Sequence, residues 1–564
     1  MPRSTLSLRR VLELLPPGVT DATLEELLFA SKAEVERRVG DELELSVTPD
    51  RLDLLSEGGL GFYLQGALGS ASGLPKARRS APTDEPWTIR VDASVEKLRP
   101  AIAGIRIRAP GGRPLDEGLL AEAVRFQEIL HATVGRDRRV MSLGIYPADR
   151  LRPPIRYSLE PVSRVNFVPL YGSEEVTGAD FLATDPMAQR YGSLGSSEGR
   201  CLTLRDDAGS ILSLPPVLNS RGTGEARPGD RELLLESTGT RPRTVREGLG
   251  LLLVVFVARG WAVAPVAIEA ADGSRDEGVE VLEPHEQDLA AELLDQIAGT
   301  PLGFDEVAQP LARARLGVRR IRGGFRVSSP PWRPDLLGPV DLAEEVVLSR
   351  GVRSEDGIVP ASPTRGHRRA ETVFRRRIAA LLLGLGFTQP HTPLLVSETC
   401  VGRLAGGAPI RLRNPVSAEF AFVRDRLLLS HIDVLAHNTR RSYPQRFAEV
   451  APVVVRSPGA EAGAETRYRA GFIVASERAG FADVAALVEY LLGSLDVGAV
   501  REPAELPGTI PGRAAQARVA GEVVAEMGEI HPRILADIGV PVPSVWAELD
   551  LSALWPLVAR RDTD

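Results

Sequence analysis

Residues 331–350 read PWRPDLLGPVDLAEEVVLSR, and the rest of the chain is best approached from there. Pro339 sits where a first-turn proline is tolerated, Arg350 falls in the last turn and Gly351 follows as a stop, so the spacing predicts a helix over 339–350. On that helix Asp341, Glu344 and Glu345 stand at i, i+3 and i+4 and share a face. Asp335, just upstream, can fold back to the same place. An oxygen-only set without His or Cys suits Mg²⁺ better than zinc, which makes Asp335, Asp341, Glu344 and Glu345 a candidate metal site. The alternative is that acids in a first helical turn cap free N–H groups and complement the helix dipole.

At 564 residues the chain is too long for one core, and length alone suggests roughly three to five domains. With 43% hydrophobic and 25% charged residues it has the balance of a soluble globular protein. Its 2 cysteines, Cys201 and Cys400, offer neither a disulfide framework nor a zinc site, which points to a reducing, cytoplasmic setting. Leu6, Leu8, Val11, Leu12 and Leu15 with arginines between them read as an amphipathic helix, not as a signal peptide. The most apolar run, Leu249 to Ala258, is too short to span a bilayer. A net charge of −7 excludes a broad basic face, so any contact with nucleic acid is local or shared with a partner. No lysine follows Lys97, which removes Schiff-base and phosphate-loop lysines from the rest of the chain.

Breaks in composition fall at 70–88, 269–280 and about 352–368. Between them an alternating strand is expected at Ile102 to Ile107, a helix at Leu119 to Leu130 and another at Arg375 to Phe387 leading into a strand near Thr388. The fold class is α+β in several modules. His131, His431, His437 and His531 lack a second histidine at ligand spacing and read as packed or surface residues. Arg375-Arg376-Arg377 and Arg440-Arg441 read as solvated helix faces.

The pattern R-P-D-x-x-x-P-x-D-L-x-E-E at 333–345 closely resembles the magnesium-bearing module of the phenylalanyl-tRNA synthetase beta subunit family, and further matches follow in order. They are Val47 to Ser56, Leu212 to Ser220 with Glu236 to Thr240 (an editing module of the archaeal and eukaryotic kind), then Arg413 to Val416, Tyr443 to Phe447, Ile510 to Ala515 and Gly528 to Pro532. The resemblance implies an N-terminal module at 1–80, an editing-type module at 89–270, a small helical or winged metal-bearing module at 276–355 and an antiparallel class II synthetase-like domain at 367–560. The last is expected to be catalytically inactive. Arg446 and Glu449 resemble the class's second motif, but Gly480 to Val488, where a third motif would supply an arginine for triphosphate, holds no cation.

What the resemblance implies for function is a beta subunit supporting ATP- and Mg²⁺-dependent charging of tRNA(Phe) by a separate alpha subunit in an alpha2beta2 assembly. It also implies hydrolysis of mischarged tyrosyl-tRNA. Telling tyrosine from phenylalanine needs a buried acceptor for the phenol, and Glu236 after Leu233-Leu234-Leu235 is such an acceptor. Carried over by position, Leu204, Ser213, Glu236 and Thr238 take the places of the pocket's apolar wall, hydroxyl, carboxylate and threonine, with Asn219 facing the same pocket. Departures from the family pattern stand at Asp50, at Leu52, at Tyr146-Pro147 in place of His-Asp, and at Arg241 in place of an acid. The alternative is a divergent paralogue that binds or deacylates aminoacyl-tRNA, or acts as an interaction subunit, on its own.

Overall fold

The computed structural model describes residues 2–79, 87–111, 113–351, 364–404 and 409–559. It divides into two compact units, Met1–Ile358 and Val359–Asp564. The boundary lies within the expected break at 352–368, most of which is outside the described residues, as is 80–86 within the first break. Among the described residues no helix is long and apolar enough to cross a membrane.

The first unit begins with a three-stranded antiparallel sheet ordered Arg3–Ser7, Glu42–Val47, Ala33–Val39. The expected N-terminal amphipathic helix is therefore corrected. Leu6 enters a strand whose alternate side chains are buried, and only Leu8–Leu12 is helical, capped by Ser7.

Two larger sheets face each other next. One is four-stranded and antiparallel, ordered Ala262–Pro265, Ala101–Arg108, Glu232–Gly239, Met141–Pro147. The helices Glu117–Ala132 and Pro242–Val257 cover one of its faces: Leu233 and Leu235 join their apolar cluster, while Leu234 joins the cluster of the second sheet. Strand alternation thereby turns Glu236 and Thr238 the same way as Leu234. The second sheet is eight-stranded and contains Ile155–Pro161, Arg200–Arg205, Ile211–Leu214 and Leu218–Asn219 as neighbours. The expected break at 269–280 is partly structured, because Ile268 and Glu269 pair with Asp276 and Arg275 at that sheet's edge.

The unit ends in a three-stranded sheet, His285–Ala290, Gly324–Ser329, Gly317–Ile321, with the helices Ala291–Ala298, Phe304–Arg313 and Pro339–Arg350 packed on it. The helix over 339–350 has the bounds the sequence predicts.

In the second unit a six-stranded antiparallel sheet runs Gln445–Arg456, Ala464–Ala475, Ser544–Asp550, Glu522–Ile530, Thr509–Val519, Val500–Pro503. Helices Ala370–Gly384, Phe481–Gly493 and Leu551–Ala559 share one apolar cluster with it, and Leu427–His437 packs into the other. Thr388 makes only an isolated bridge to Phe447, so the strand expected there is reduced to one pairing.

Candidate functional site

Leu204 lies opposite Ser213, and Ser213 opposite Asn219, so residues from three consecutive strands form one row across the second sheet. Glu236 stands on the facing sheet between Gly104 and Gly144, its partners on either side. A cavity of about 390 Å³ opens between these elements, with Ser213, Asn219, Glu236, Tyr146, Gln127, Glu128, His131, Arg138 and the Leu214–Leu218 strip in its wall. That volume falls in the range of small-molecule sites.

The wall is fixed by buried polar groups. Arg138 gives Nη1 to the carbonyls of Pro216 (3.0 Å) and Val217 (2.9 Å) and Nη2 to Glu128, and its guanidinium lies over the Tyr191 ring. His131 Nε2 accepts the Leu143 N–H at 2.8 Å, which leaves Nδ1 toward Glu128, and burial holds its pKa below the ordinary value. It is the packed histidine the sequence suggests, set in the cavity wall.

Glu236 is 2% exposed. Its Oε2 accepts the Tyr146 hydroxyl at 3.0 Å, and the same hydroxyl lies 2.8 Å from Ser213 Oγ. Among the described residues Glu236 Oε1 has no hydrogen-bond partner. Burial pushes the carboxyl up to about 7, against the opposing pull of the Tyr146 hydroxyl and the Arg99 guanidinium. Arg99, itself buried, donates to Thr238 O, Ser142 Oγ and Arg138 O, tying the floor of the cavity to its wall. No sequence signal marked Arg99, and Tyr146 was visible only as a departure from the family pattern.

The candidate pocket set is therefore partly reassembled. Ser213, Asn219 and Glu236 line the cavity, whereas Leu204 and Thr238 do not. Leu204 is fully buried in the apolar cluster with Tyr146, Tyr157 and Leu234, and Thr238 gives its hydroxyl to the Arg99 and Ser142 network. Asn219 uses its amide on the carbonyl of Gly224 at 2.9 Å. Glu236 is buried as the expected acceptor, but the protein's own phenol already occupies one of its oxygens.

The candidate metal set is corrected more fully. Among the described residues no group of three or more His, Cys, Asp or Glu side chains gathers as a metal site. Asp335 makes a bidentate pair with Arg333 (2.9 and 2.7 Å), and Glu345 takes Arg333 at 2.7 Å with Arg51 at 3.8 Å. Asp341 accepts the N–H groups of Leu337 and Gly338, both at 2.8 Å, as the helix cap. Glu344 is exposed and pairs with Lys32 at 2.9 Å. Adjacent residues on a helix point about 100° apart, so Glu344 and Glu345 diverge, and bound guanidinium groups stand where a cation would have to enter. The set does not fit a hard-metal site.

In the second unit, Arg446 lies over the Phe387 ring, 4.6 Å from its centroid, and Glu449 accepts from the Thr392 N–H and hydroxyl and from Arg424. Gly480 starts the helix Phe481–Gly493, where Asp483 accepts its N–H.

Family models match at residues 287–351, "tRNA synthetase B5 domain", and 357–551, "Phenylalanyl tRNA synthetase beta chain CLM domain". A phenylalanine–tRNA ligase beta subunit from Treponema pallidum is 32% identical over 530 residues, covering 91% of this chain and 87% of the relative. The chain belongs to the phenylalanine–tRNA ligase beta-subunit family. The beta subunit of Korarchaeum cryptofilum is 30% identical over 550 residues, spanning 96% of this chain and 97% of the relative. A crystal structure of an N-terminal fragment of the Pyrococcus horikoshii phenylalanyl-tRNA synthetase beta subunit shares 25% identity at a TM-score of 0.57. All of that fragment is covered, by 62% of this chain. Both beta-subunit family models thus fall on regions that the sequence motifs single out.

Proposed function

We propose that the chain works beside a catalytic alpha subunit, in an alpha2beta2 assembly that joins phenylalanine to tRNA(Phe) with ATP, and does not itself activate the amino acid. The observation that carries this reading is the family relationship over nearly the full length of both chains, joined to the absence of any cation in Gly480 to Val488. ATP and Mg²⁺ then belong to the alpha subunit's reaction. The cavity bounded by Glu236 and Ser213 receives the aminoacyl end of a mischarged tRNA, tyrosyl-tRNA being the substrate class to which the family relationship points.

In that role water adds to the ester carbonyl carbon, the bond to the ribose oxygen breaks and that oxygen takes up a proton. The chain's residues position the ester and shape the wall: Arg138 holds the carbonyls of Pro216 and Val217, and His131 holds Leu143 within the strand Met141–Pro147. Co-expression tests the reading. An alpha subunit should co-purify, the purified chain alone should give no phenylalanine-dependent ATP–pyrophosphate exchange, and the complex should. A chain that purifies alone and deacylates tRNA without a partner would favour the free-standing paralogue.

A further inference from the structure

We propose that Tyr146 is the specificity-determining residue of this cavity, an internal occupant that fills its phenol-accepting end and pairs with Glu236 Oε2 and Ser213 Oγ in place of a ligand's hydroxyl. The proposal rests on the reading of the cavity as an aminoacyl pocket, although the occupancy itself does not. A phenol carries one proton. Given to Glu236 Oε2 at 3.0 Å, it leaves the phenol oxygen to accept from Ser213 Oγ at 2.8 Å, the same pair of bonds a bound tyrosine would make there.

The ring has a prepared seat. Gly144 precedes Tyr146 by two residues on the same strand and face, and a Cβ at 144 would come within 2.2 Å of the Tyr146 hydroxyl oxygen and 2.5 Å of its Cζ. Only a glycine leaves that space. Tyr146 is 1% exposed and packs with Leu202, Leu204 and Leu234, so it is held as core and not as a mobile rim residue.

An acceptor discriminates strongly only when a ligand lacking the hydroxyl would leave it unpaired. With Tyr146 in place Glu236 Oε2 and the Ser213 hydroxyl are already engaged whatever enters, so at that end of the cavity tyrosyl and phenylalanyl groups meet the same wall. The wild-type pocket should therefore release both slowly and with little preference.

The test uses the complex of the full chain with its alpha subunit, with p-cresol and toluene as probes read by calorimetry and melting temperature. Tyr146→Ala should bind p-cresol at least about tenfold more tightly than toluene, and adding Glu236→Leu, which removes the acceptor, should abolish that preference. Wild type and Tyr146→Phe, which both keep the ring, should show no Glu236-dependent binding of p-cresol. Such binding to wild type would overturn the proposal, and so would a folded Tyr146→Ala that ignores p-cresol. Should Tyr146→Ala not fold, Tyr146→His carries the same expectations, and the wild-type measurement stands by itself.

Release of tyrosine from tyrosyl-tRNA then separates the two readings. It should rise about tenfold in Tyr146→Ala. Cresol binding with no release by any variant keeps the internal occupant and removes the deacylation reading. Glu236-dependent release by wild type as fast as by Tyr146→Ala does the reverse.

Discussion

Glu236 and Glu345 are each 2% exposed, yet the molecule satisfies them by opposite means. Glu236 shares a hydroxyl proton with Tyr146, its nearest partners are neutral, and its carboxyl is pushed up to about 7. Glu345 sits between two guanidinium groups, Arg333 and Arg51, beside Asp335, which Arg333 holds below the ordinary carboxylate range despite burial. A buried carboxylate either gives up charge or recruits a cation. The first solution pairs the carboxyl with a neutral hydroxyl, whose place a ligand's hydroxyl could take only once the Tyr146 ring is removed, so it suits a pocket wall. The second holds the carboxylates in ion pairs, with Glu345 Oε1 against both Arg333 and Arg51, so it suits a joint between modules: Arg51 and Asp53 come from the N-terminal module, while Arg333, Asp335 and Glu345 come from the B5 region.

The largest effect should come from breaking the charged joint. Arg333→Met would leave Asp335 and Glu345 buried without their main cation, and unfolding in denaturant should show a loss of about 3–5 kcal/mol. A loss under about 1 kcal/mol would erase the contrast with the pocket.

Next comes the pH response of Glu236. Its folded pKa of about 7 lies above the ordinary value of 4.5, so the native state binds the extra proton in that window and stability falls as pH rises through it. Wild type should lose on the order of 2 kcal/mol more than Glu236→Gln between pH 5 and pH 8, read from denaturation midpoints. Asp335 has the other sign. Its lowered pKa contributes stability that is present above the unfolded value and is lost as pH falls toward the folded one. A Glu236→Gln protein with the same pH profile as wild type would mean that Glu236 stays charged, as the joint's carboxylates do.

Tyr146→Phe removes one hydroxyl from a packed ring, and about 1–2 kcal/mol should be lost in the same denaturation assay. The smallest effects belong to the exposed end of the acid-rich helix. Glu344→Ala, which breaks a half-exposed pair with Lys32, should cost under about 1 kcal/mol. Chelation by EDTA should leave the melting temperature of the purified chain unchanged, because its carboxylates are held by arginine, lysine and backbone N–H groups. A fall on chelation, restored by Mg²⁺, would show a site that the pairs observed here do not provide.

Much of this protein is written in local sequence. The helix Pro339–Arg350, the strand Ala101–Arg108 and the helix Glu117–Ala132 follow from capping residues and apolar period, which act over neighbouring residues. Ordered motifs were enough for the family. They also pointed to Ser213, Asn219 and Glu236, which the fold does bring to one cavity. The spacing of Asp341, Glu344 and Glu345 was equally legible but misleading, because spacing states which residues can meet and not which cations reach them first. Lys32 and Arg51 reach Glu344 and Glu345 from some three hundred positions away in sequence, and Arg333 turns back on Asp335 and Glu345. Tyr146 shows the same limit: its identity was readable as a departure, but only the pairing of two sheets places its hydroxyl between Glu236 and Ser213. Sequence thus determined elements, order and family, since those rest on short-range pattern. Tertiary structure decided which buried charges are neutralised and by what, since that depends on groups brought together from distant parts of the chain.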